Sequence, residues 1–235
     1  MTEKIFQEDP YIKSANATVM SVETNGIVLN RSIFYPTGGG QPGDTGSLRT
    51  HDGREVAIST TIKDRNSGRQ YHVPVEEETK LAVGDVVIMK INWRRRYRFM
   101  RMHTLLHLIC AAVDAEITGC QIGEEKSRID LNTEKKPDKE VIQFKLNELV
   151  DQDILTRVEW ITDEELAAKP KLIRTMSVQP PTGFGKVRVI AVEGVDVQPC
   201  GGTHVARTGE IGKVRVGKIE NKGKNNRRVN VHLED

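Results

Sequence analysis

The sequence predicts an α+β protein, in which a small β-barrel-like domain is followed by an α+β domain with helices packed on a mostly antiparallel sheet. Three patterns support this fold class. Residues 17–91 alternate short apolar stretches with turn signals, residues 97–113 place apolar side chains at helical spacing, and strand patterns return after Gly185. We therefore expect two domains, residues 1–91 and residues 92–235.

The N-terminal domain is predicted to be all β, because its apolar stretches are short and are bounded by residues that favour turns. The predicted strand regions are Ala17–Leu29, Val56–Ile62 and Val86–Ile91, and the turn signals are Asn25-Gly26, Asp52-Gly53, Ser67-Gly68 and Gly84-Asp85. Short strands with frequent turns are typical of a small barrel or sandwich.

The C-terminal domain contains three predicted helices. The first spans Tyr97–Val113, which has no internal glycine or proline. A second helix follows Asp138, whose side chain can cap a helix N-terminus. A third, short helix follows Thr162, because Thr162 and Glu165 have the spacing of a capping box. The strands predicted after the helices are Val187–Val192, Val195–Gln198, Val214–Ile219 and Val229–Leu233.

Composition and charge narrow the class of protein. Hydrophobic residues make up 37% and charged residues 29% of the 235 residues, which is typical of a soluble globular protein. No apolar run approaches the roughly 18 residues of a membrane-spanning helix, and the polar N-terminus has no signal-peptide core. Cys110, Cys120 and Cys200 are an odd number at irregular spacing, so we expect a cytoplasmic protein without membrane contact. The net charge of +2 is too small to indicate nucleic acid by itself.

Four residues in two separate motifs have the side chains of a zinc site. His103 and His107 are four residues apart in the predicted helix, which places both imidazoles on one face. Cys200 and His204 are also four apart, and the glycines between them would let the backbone turn so that both side chains converge. Each motif alone has an ordinary explanation, as incidental histidines or as a turn with a buried cysteine. Together they make a complete His₃Cys set for tetrahedral zinc, which accepts imidazole and thiolate alike.

A metalloprotease helix is the main rival explanation for two histidines at this spacing. Such a helix requires the pattern His-Glu-x-x-His, in which the glutamate is the general base. Thr104 occupies the glutamate position here, so we set the protease aside.

The two metal motifs also carry a family resemblance. His103-x-x-x-His107, followed far downstream by Cys200-Gly-Gly-Thr-His204, resembles the metal signature of the editing domain of alanyl-tRNA synthetases and of the AlaX proteins. Thr208-Gly-Glu-Ile-Gly212 and Arg227-Arg228 follow these motifs as they do in that family.

A glycine-rich stretch extends the resemblance into the N-terminal half. Gly38-Gly-Gly-Gln-Pro-Gly-Asp-Thr-Gly46 is similar to the glycine-rich motif of the synthetase and of the longer AlaX proteins. Threonyl-tRNA synthetase editing domains share the zinc-type signature but lack this loop, so the loop favours the alanine system. The resemblance covers the chain from about Tyr35 to Arg228.

The resemblance implies a hydrolase that cleaves the ester joining a wrong amino acid, chiefly serine and secondarily glycine, to tRNA(Ala). One Zn²⁺ per chain would be held by His103, His107, Cys200 and His204. Four protein ligands close a tetrahedron, whereas catalytic zinc usually keeps an open position. The ion would therefore gain a fifth ligand, exchange one of the four, or mainly orient the substrate, and no general base is assigned.

Other functions stay open at this point. A zinc-stabilised RNA-binding module without catalysis would carry the same four ligands in a structural role. A piece of a full synthetase is not expected, because the chain starts at Met1, ends at Asp235 and shows no aminoacylation machinery. The sequence does not predict the oligomeric state, the preference between serine and glycine, or how tRNA(Ala) is distinguished from other tRNAs.

The glycine-rich loop has a physical interpretation that is independent of the family. Consecutive glycines can turn several backbone N–H groups toward an anion or a sugar–phosphate chain, and the alternative is a long hairpin turn. A phosphate-binding P-loop is excluded, because no Gly-Lys-Ser/Thr follows. The residues assigned to this loop are Gly38, Gly39, Gly40, Gln41 and Asp44.

A group that recognises the serine hydroxyl should lie near the metal, because a site that hydrogen-bonds this hydroxyl rejects alanine. Gln121 is the first candidate, since it lies in a predicted loop directly after the first helix; an ordinary loop amide is the alternative. Thr104 and Thr203 stand beside metal ligands and are second choices. Gly201 and Gly202 complete the predicted substrate pocket.

Two clusters of basic residues are predicted to bind tRNA phosphates. The first is interleaved with Trp93, Tyr97 and Phe99, and the second lies near the C-terminus. A solvated surface is the alternative for each cluster. The predicted contacts are Arg94, Arg95, Arg96, Arg98, Arg101, Lys218, Lys222, Lys224, Arg227 and Arg228.

Overall fold

The computed structural model describes residues 2–176, 182–183 and 185–234. The chain divides into two compact units, Met1–Arg98 and Phe99–Asp235. The domain boundary expected after residue 91 stays a prediction. Met1 and Asp235 lie outside the described residues.

The first unit is built on a closed barrel of six antiparallel strands in the order β2-β3-β7-β6-β5-β8. A short parallel pair, β1 with β4, stands outside the barrel. The elements are β1 (Glu3–Lys4), α1 (Ile5–Glu8), β2 (Ser14–Glu23), β3 (Gly26–Leu29), β4 (Arg31–Ser32), β5 (Gly46–Thr50), β6 (Glu55–Lys63), β7 (Gln70–Pro74) and β8 (Val86–Ile91).

Alternation of side chains places one apolar set inside this barrel. Val19, Leu29, Leu48, Ile58 and Met89, one from each of five strands, are almost completely buried in the same cluster. Because the barrel is closed, these strands leave no free sheet edge. The barrel-like expectation for the N-terminal half is confirmed.

The second unit combines helices with two antiparallel sheets, of strand order β14-β15-β10-β9 and β11-β12-β13. Helix α2 begins in the first unit, and its residues from Phe99 onward belong to the second. The elements are α2 (Trp93–Val113), β9 (Glu116–Gln121), β10 (Lys126–Asn132), α3 (Lys139–Asp151), β11 (Thr156–Thr162), α4 (Asp163–Ala168), β12 (Lys186–Val192), β13 (Asp196–Pro199), β14 (Val214–Gly223) and β15 (Asn226–Leu233), with 3₁₀ turns at Pro170–Leu172 and Thr208–Ile211.

The predicted helix caps are present. The Asp138 carboxylate accepts hydrogen bonds from the backbone N–H groups of Glu140 and Val141 at the start of α3. Thr162 and Glu165 form a reciprocal capping box at the start of α4. The α+β fold class is therefore confirmed. Within the described part of the chain, no helix combines the length and apolarity needed to cross a membrane.

Strands β9, β10 and β11 were not predicted from the sequence. The segment around Gln121, expected to be a loop, is strand β9, and Gln121 pairs with Arg128 of β10. The expectation failed because Gly119 and Gly123 suggest turns, whereas Gly119 lies within β9 and Gly123 lies two residues beyond its end.

Candidate metal centre

The two predicted metal motifs meet in the second unit. His103 and His107 lie one turn apart on α2, and Cys200 and His204 lie in the segment that follows β13. One ligand atom from each of the four residues lies within 4.8 Å of every other. The Cys200 Sγ atom is 3.4 Å from His103 Nε2 and 3.3 Å from His204 Nε2. Residues 97 positions apart in the chain are thus brought together.

These separations fit a tetrahedral ion. Bonds of roughly 2.3 Å to sulfur and 2.0–2.1 Å to nitrogen place the two ligand atoms about 3.5 Å apart. In addition, the Nδ1 atom of His107 is buried, and no described residue hydrogen-bonds to it. A buried polar atom without a partner is costly, and Nδ1 is one of the two ring nitrogens through which His107 can bind an ion. The four side chains could therefore hold a metal ion.

The protonation of the four groups suits metal binding. Burial lowers the pKa of His107 to about 4 and lowers the pKa values of His103 and His204 well below their usual value. Burial raises the pKa of the Cys200 thiol to about 11. At neutral pH the three imidazoles are uncharged and can donate a lone pair, whereas the thiol must lose a proton on binding a metal.

Thr104 fixes the orientation of one ligand. Its hydroxyl group lies 3.0 Å from the carbonyl oxygen of Met100, 3.2 Å from the Nδ1 atom of His204 and 3.2 Å from the N–H of Val205. A hydroxyl that donates to the carbonyl accepts from the other two groups, so Nδ1 of His204 carries its proton and Nε2 faces the cluster. The fully buried Thr104 was predicted as a substrate contact. That contact stays a prediction, and the hydroxyl that would make it already uses its donor and both acceptor positions.

Arg188, a residue that sequence reasoning missed, holds the other ligand segment. It lies on β12, is 5% exposed, and donates from Nη1 to the carbonyl oxygens of Cys200 and Gly202 at 2.6 and 2.9 Å. Its buried positive charge also lowers the pKa values of the three histidines, after burial itself. Only its position within a buried strand of mostly aliphatic residues could have drawn attention to it, because buried arginine is rare.

Arg101 anchors the chain beyond the ligand segment. It is 8% exposed, and its Nε and Nη2 atoms donate to the carbonyl oxygen of Ile211 at 2.9 and 2.7 Å. The tRNA contact expected at Arg101 stays a prediction; the structure shows its guanidinium buried and donating to a backbone carbonyl. Arg101 fixes the 3₁₀ turn Thr208–Ile211 to the helix that carries His103.

The remaining predicted pocket residues lie in different surroundings. Gly201 is exposed, with no other heavy atom within 4 Å of where a Cβ would lie, whereas Gly202 and Thr203 are buried. Neither Gly201 nor Gly202 has a positive φ, so the turn expected to require glycine does not use that freedom. Gln121 is exposed, and its side-chain oxygen accepts from Arg128 Nε at 3.2 Å. Gly201 is therefore the exposed position within the segment that joins Cys200 to His204.

Sequence comparison places the chain among known proteins. The family described as "Threonyl and Alanyl tRNA synthetase second additional domain" matches residues 187–230, and "tRNA synthetases class II (A)" matches residues 4–95. "Alanyl-tRNA editing protein AlaX-M" of Saccharolobus solfataricus is 35% identical over 97% of this chain and 98% of its own length. The chain belongs to the AlaX family. The AlaX-M protein of Methanosarcina mazei is 37% identical over 100% of this chain and 98% of its own length.

A longer protein shares the same region. The "Alanine--tRNA ligase" of Sulfurisphaera tokodaii is 31% identical over 93% of this chain, which corresponds to 25% of the ligase. The AlaX resemblance inferred from the metal motifs and the glycine-rich stretch is thus confirmed over nearly the whole chain.

The glycine-rich stretch of this AlaX protein forms a tight turn within the first unit. Gly38 and Gln41 exchange two backbone hydrogen bonds of 3.0 and 2.9 Å, and the intervening Gly39 and Gly40 have φ values of +54° and +81°. Two consecutive positive φ values are those of a type I′ turn, which glycine adopts readily. Gly43 has a different reason, since a Cβ there would lie 2.0 Å from the carbonyl oxygen of Thr61. Of the two interpretations, these residues adopt the hairpin turn; an RNA contact stays a prediction.

An ion pair between Asp44 and Arg96 holds this loop in place. The side chains form a buried ion pair, in which Arg96 is 0% and Asp44 is 2% exposed. Arg96 also donates to the carbonyl oxygens of Pro10 and Ile33, and Asp44 accepts from the N–H of Tyr35. The tRNA contact expected at Arg96 stays a prediction; the structure shows its guanidinium fully buried and bonded to Asp44, Pro10 and Ile33. Asp44 is a structural anchor of the loop.

The side chains of the other predicted tRNA contacts differ in exposure and in their hydrogen-bond partners. Arg95 donates to the carbonyl oxygen of Gly43 at 2.7 Å, and Arg98 is half-buried. Arg228 pairs with the buried Asp130, and Arg227 donates to backbone carbonyls of the β14–β15 turn, so both support the sheet. Both are half-buried, and their contacts with RNA stay predictions. The side chains that remain exposed are Arg94, Lys218, Lys222 and Lys224.

Proposed function

We propose that this chain is a zinc-dependent trans-editing hydrolase that deacylates mischarged tRNA(Ala), chiefly Ser-tRNA(Ala) and secondarily Gly-tRNA(Ala). One observation carries the proposal: a chain related over its full length to alanyl-tRNA editing proteins brings His103, His107, Cys200 and His204 within ligand distance of one another. The three cysteines are free thiols, which suits action in the cytoplasm.

The residues around the cluster determine what an aminoacyl ester would meet there. Zinc bound by this set supplies a Lewis acid that polarises an ester carbonyl. Thr104 and Arg188 hold the ligands in place, and the exposed backbone at Gly201 leaves an approach for the ester. Of the three polar side chains considered for the serine hydroxyl, Thr104 and Thr203 are fully buried, so Gln121 remains the proposed contact.

The proposal is tested by deacylation of tRNA(Ala) charged with serine, glycine or alanine. We expect release of serine with alanine retained, because a site that hydrogen-bonds a hydroxyl disfavours a substrate without one. Glycine also lacks the hydroxyl, so its release should be slower than that of serine. His103→Ala and Cys200→Ala should abolish release. His51→Ala, at an exposed turn, and Cys110→Ala, outside the cluster, are matched controls expected to retain it. Full turnover by both cluster variants without zinc would contradict the site assignment.

A structural role for the metal is the second candidate function. It is favoured by the set itself, because four protein ligands are the usual number for a structural zinc site. Circular dichroism and serine release, measured together before and after chelation, separate the two functions. Loss of release with the fold retained supports the hydrolase, whereas a metal-loaded, folded protein that releases nothing supports an RNA-binding module.

A further inference from the structure

A basic groove lies in the second unit, between the start of α3 and the edge strand β14. Its volume is about 740 Å³. Eight residues line it, and four of these carry a positive charge. The lining residues are Lys136, Pro137, Asp138, Lys139, Arg215, Gly217, Lys218 and Ile219.

The positive charge of this groove is only partly neutralised. Lys136, Lys139 and Lys218 are exposed, and no described carboxylate forms an ion pair with any of them. Arg215 pairs with Glu234, but both side chains are about half exposed, so the pair is open to solvent and competing anions. The single acid of the groove, Asp138, directs its carboxylate to the backbone of α3. The groove therefore presents a net positive surface.

Strand β14, whose regular pairing with β15 is interrupted, lines the groove. Strand β14 has a register shift between Val216 and Ile219, so Gly217 and Lys218 depart from regular pairing with β15. The side-chain amide of Asn230 satisfies the Lys218 carbonyl at 2.7 Å. A Cβ at Gly217 would lie 3.0 Å from His232 Nε2, so this position favours glycine and adds no side chain to the groove.

A second groove of similar size provides a comparison. Its volume is about 720 Å³, and its cations are Lys169, Lys171 and Arg174. Arg174 forms ion pairs with the buried Asp196, which also lines the groove, and with Asp114. The second groove has one cation fewer, and its arginine is already neutralised by a buried acid, so it offers less to a polyanion.

We propose that the basic groove binds the sugar–phosphate backbone of the tRNA substrate, through Lys136, Lys139, Lys218 and Arg215. This rests on the proposed function, which makes RNA the substrate. Phosphates match the groove because each contact with a lysine or arginine releases condensed counterions, and such contacts position RNA without reading its sequence. Three of these residues, Lys136, Lys139 and Arg215, belong to neither of the basic clusters predicted from the sequence.

The test compares two double variants that remove the same charge from the two grooves. Lys136→Gln/Lys218→Gln alters the basic groove, and Lys169→Gln/Lys171→Gln is the matched control. Binding of uncharged tRNA(Ala) is measured by fluorescence anisotropy over a series of salt concentrations, with the full-length protein. The slope of log K against log[salt] should fall in magnitude by about 0.7–0.9 for each lost phosphate contact, hence by roughly 1.4–1.8 in the first variant. The control slope should not change.

An unchanged slope in Lys136→Gln/Lys218→Gln, or an equal fall in both variants, would overturn the groove assignment. Serine release from Ser-tRNA(Ala), measured on the same preparations, keeps this outcome separate from the proposed function. Release by the unaltered protein with no effect of the groove variant refutes the groove alone. Groove-dependent binding without any release refutes the hydrolase and leaves the groove standing.

Discussion

At Thr104 one hydroxyl connects the helix that carries two ligands to the segment that carries the other two. Its contacts with Met100, His204 and Val205 use one donor and two acceptor positions, which is the full capacity of a hydroxyl. Thr104 occupies the position that a glutamate holds in metalloprotease helices, and here its hydroxyl hydrogen-bonds to His204. Its contact with Nδ1 orients the His204 ring.

Thr104→Val should weaken zinc binding by about 10- to 100-fold, because it removes the partner that fixes the His204 ring and changes little volume. Thr104→Ser, which keeps the hydroxyl, should stay close to the unaltered protein. Competition with a chromophoric chelator measures the affinity directly, and circular dichroism checks that the fold is kept. An unchanged affinity in the valine variant would show that the hydroxyl does not position the ligand.

The pKa directions at the cluster predict how zinc affinity depends on pH. Burial raises the pKa of Cys200 to about 11 and lowers that of His107 to about 4. Between about pH 5 and 9 a proton therefore competes with zinc at the thiol and not at the imidazoles, so one proton should leave for each ion bound. Affinity should fall about tenfold for each unit decrease in pH.

Calorimetry in buffers of different ionisation enthalpy counts the released protons, and chelator competition gives the slope. A slope that steepens toward three or four below pH 6.5 would mean that the imidazoles titrate near their usual value and are not desolvated.

The four clustered residues could be predicted from the sequence, because each motif places its two side chains four residues apart. The supporting residues could not, since Thr104 acts on a residue 100 positions away and Arg188 on carbonyls 12 and 14 positions away. The burial of Arg96 and Arg101 could not be predicted from the sequence for the same reason. Their sequence neighbours are basic and aromatic, whereas their burial depends on Asp44 and Ile211, which lie far away in the chain.

At the scale of elements, the glycine-rich loop is shaped by the barrel beneath it. Tyr35 and Asp44 bond to each other across the loop, Asp44 N–H to Tyr35 O at 2.9 Å and Tyr35 N–H to the Asp44 carboxylate at 2.6 Å. Arg96 then holds the carboxylate from the start of α2. The loop conformation therefore depends on one buried ion pair.

Arg96→Met should destabilise the fold by about 3–5 kcal/mol, because it leaves the Asp44 carboxylate buried without its cation. Urea unfolding gives the change in the free energy of unfolding. Arg94→Met, at an exposed position two residues earlier, should change it by no more than about 0.5 kcal/mol. If Arg96→Met were as mild as this control, the pair would not hold the loop.

Helices were predicted better than strands for a physical reason. Asp138 and Thr162 cap their helices within three residues, so the signal is local. In β10, by contrast, the charged Asp130 and Arg128 suggest a solvated segment, although Asp130 is nearly buried between Arg128 and Arg228. A strand whose charges are satisfied by a neighbouring strand carries no such local signal.

At the scale of the whole molecule, the chain forms two compact units. The two family matches fall one in each unit, at residues 4–95 and 187–230. Relatives of the AlaX type cover both. The α+β class and the barrel followed from periodicity, since barrel strands and an uninterrupted helix repeat regularly. The order of the strands in the sheets did not follow, because it is set by contacts between distant segments.

The long separation between His103 and Cys200 has a consequence for biosynthesis. While the ribosome is still translating the middle of the message, the nascent polypeptide offers two imidazoles and no thiolate partner. The complete set of four side chains first exists when residue 204 has left the exit tunnel. An ion held by all four would be loaded only after that point, and a product that ends before residue 200 would lack the thiol and one of the three imidazoles.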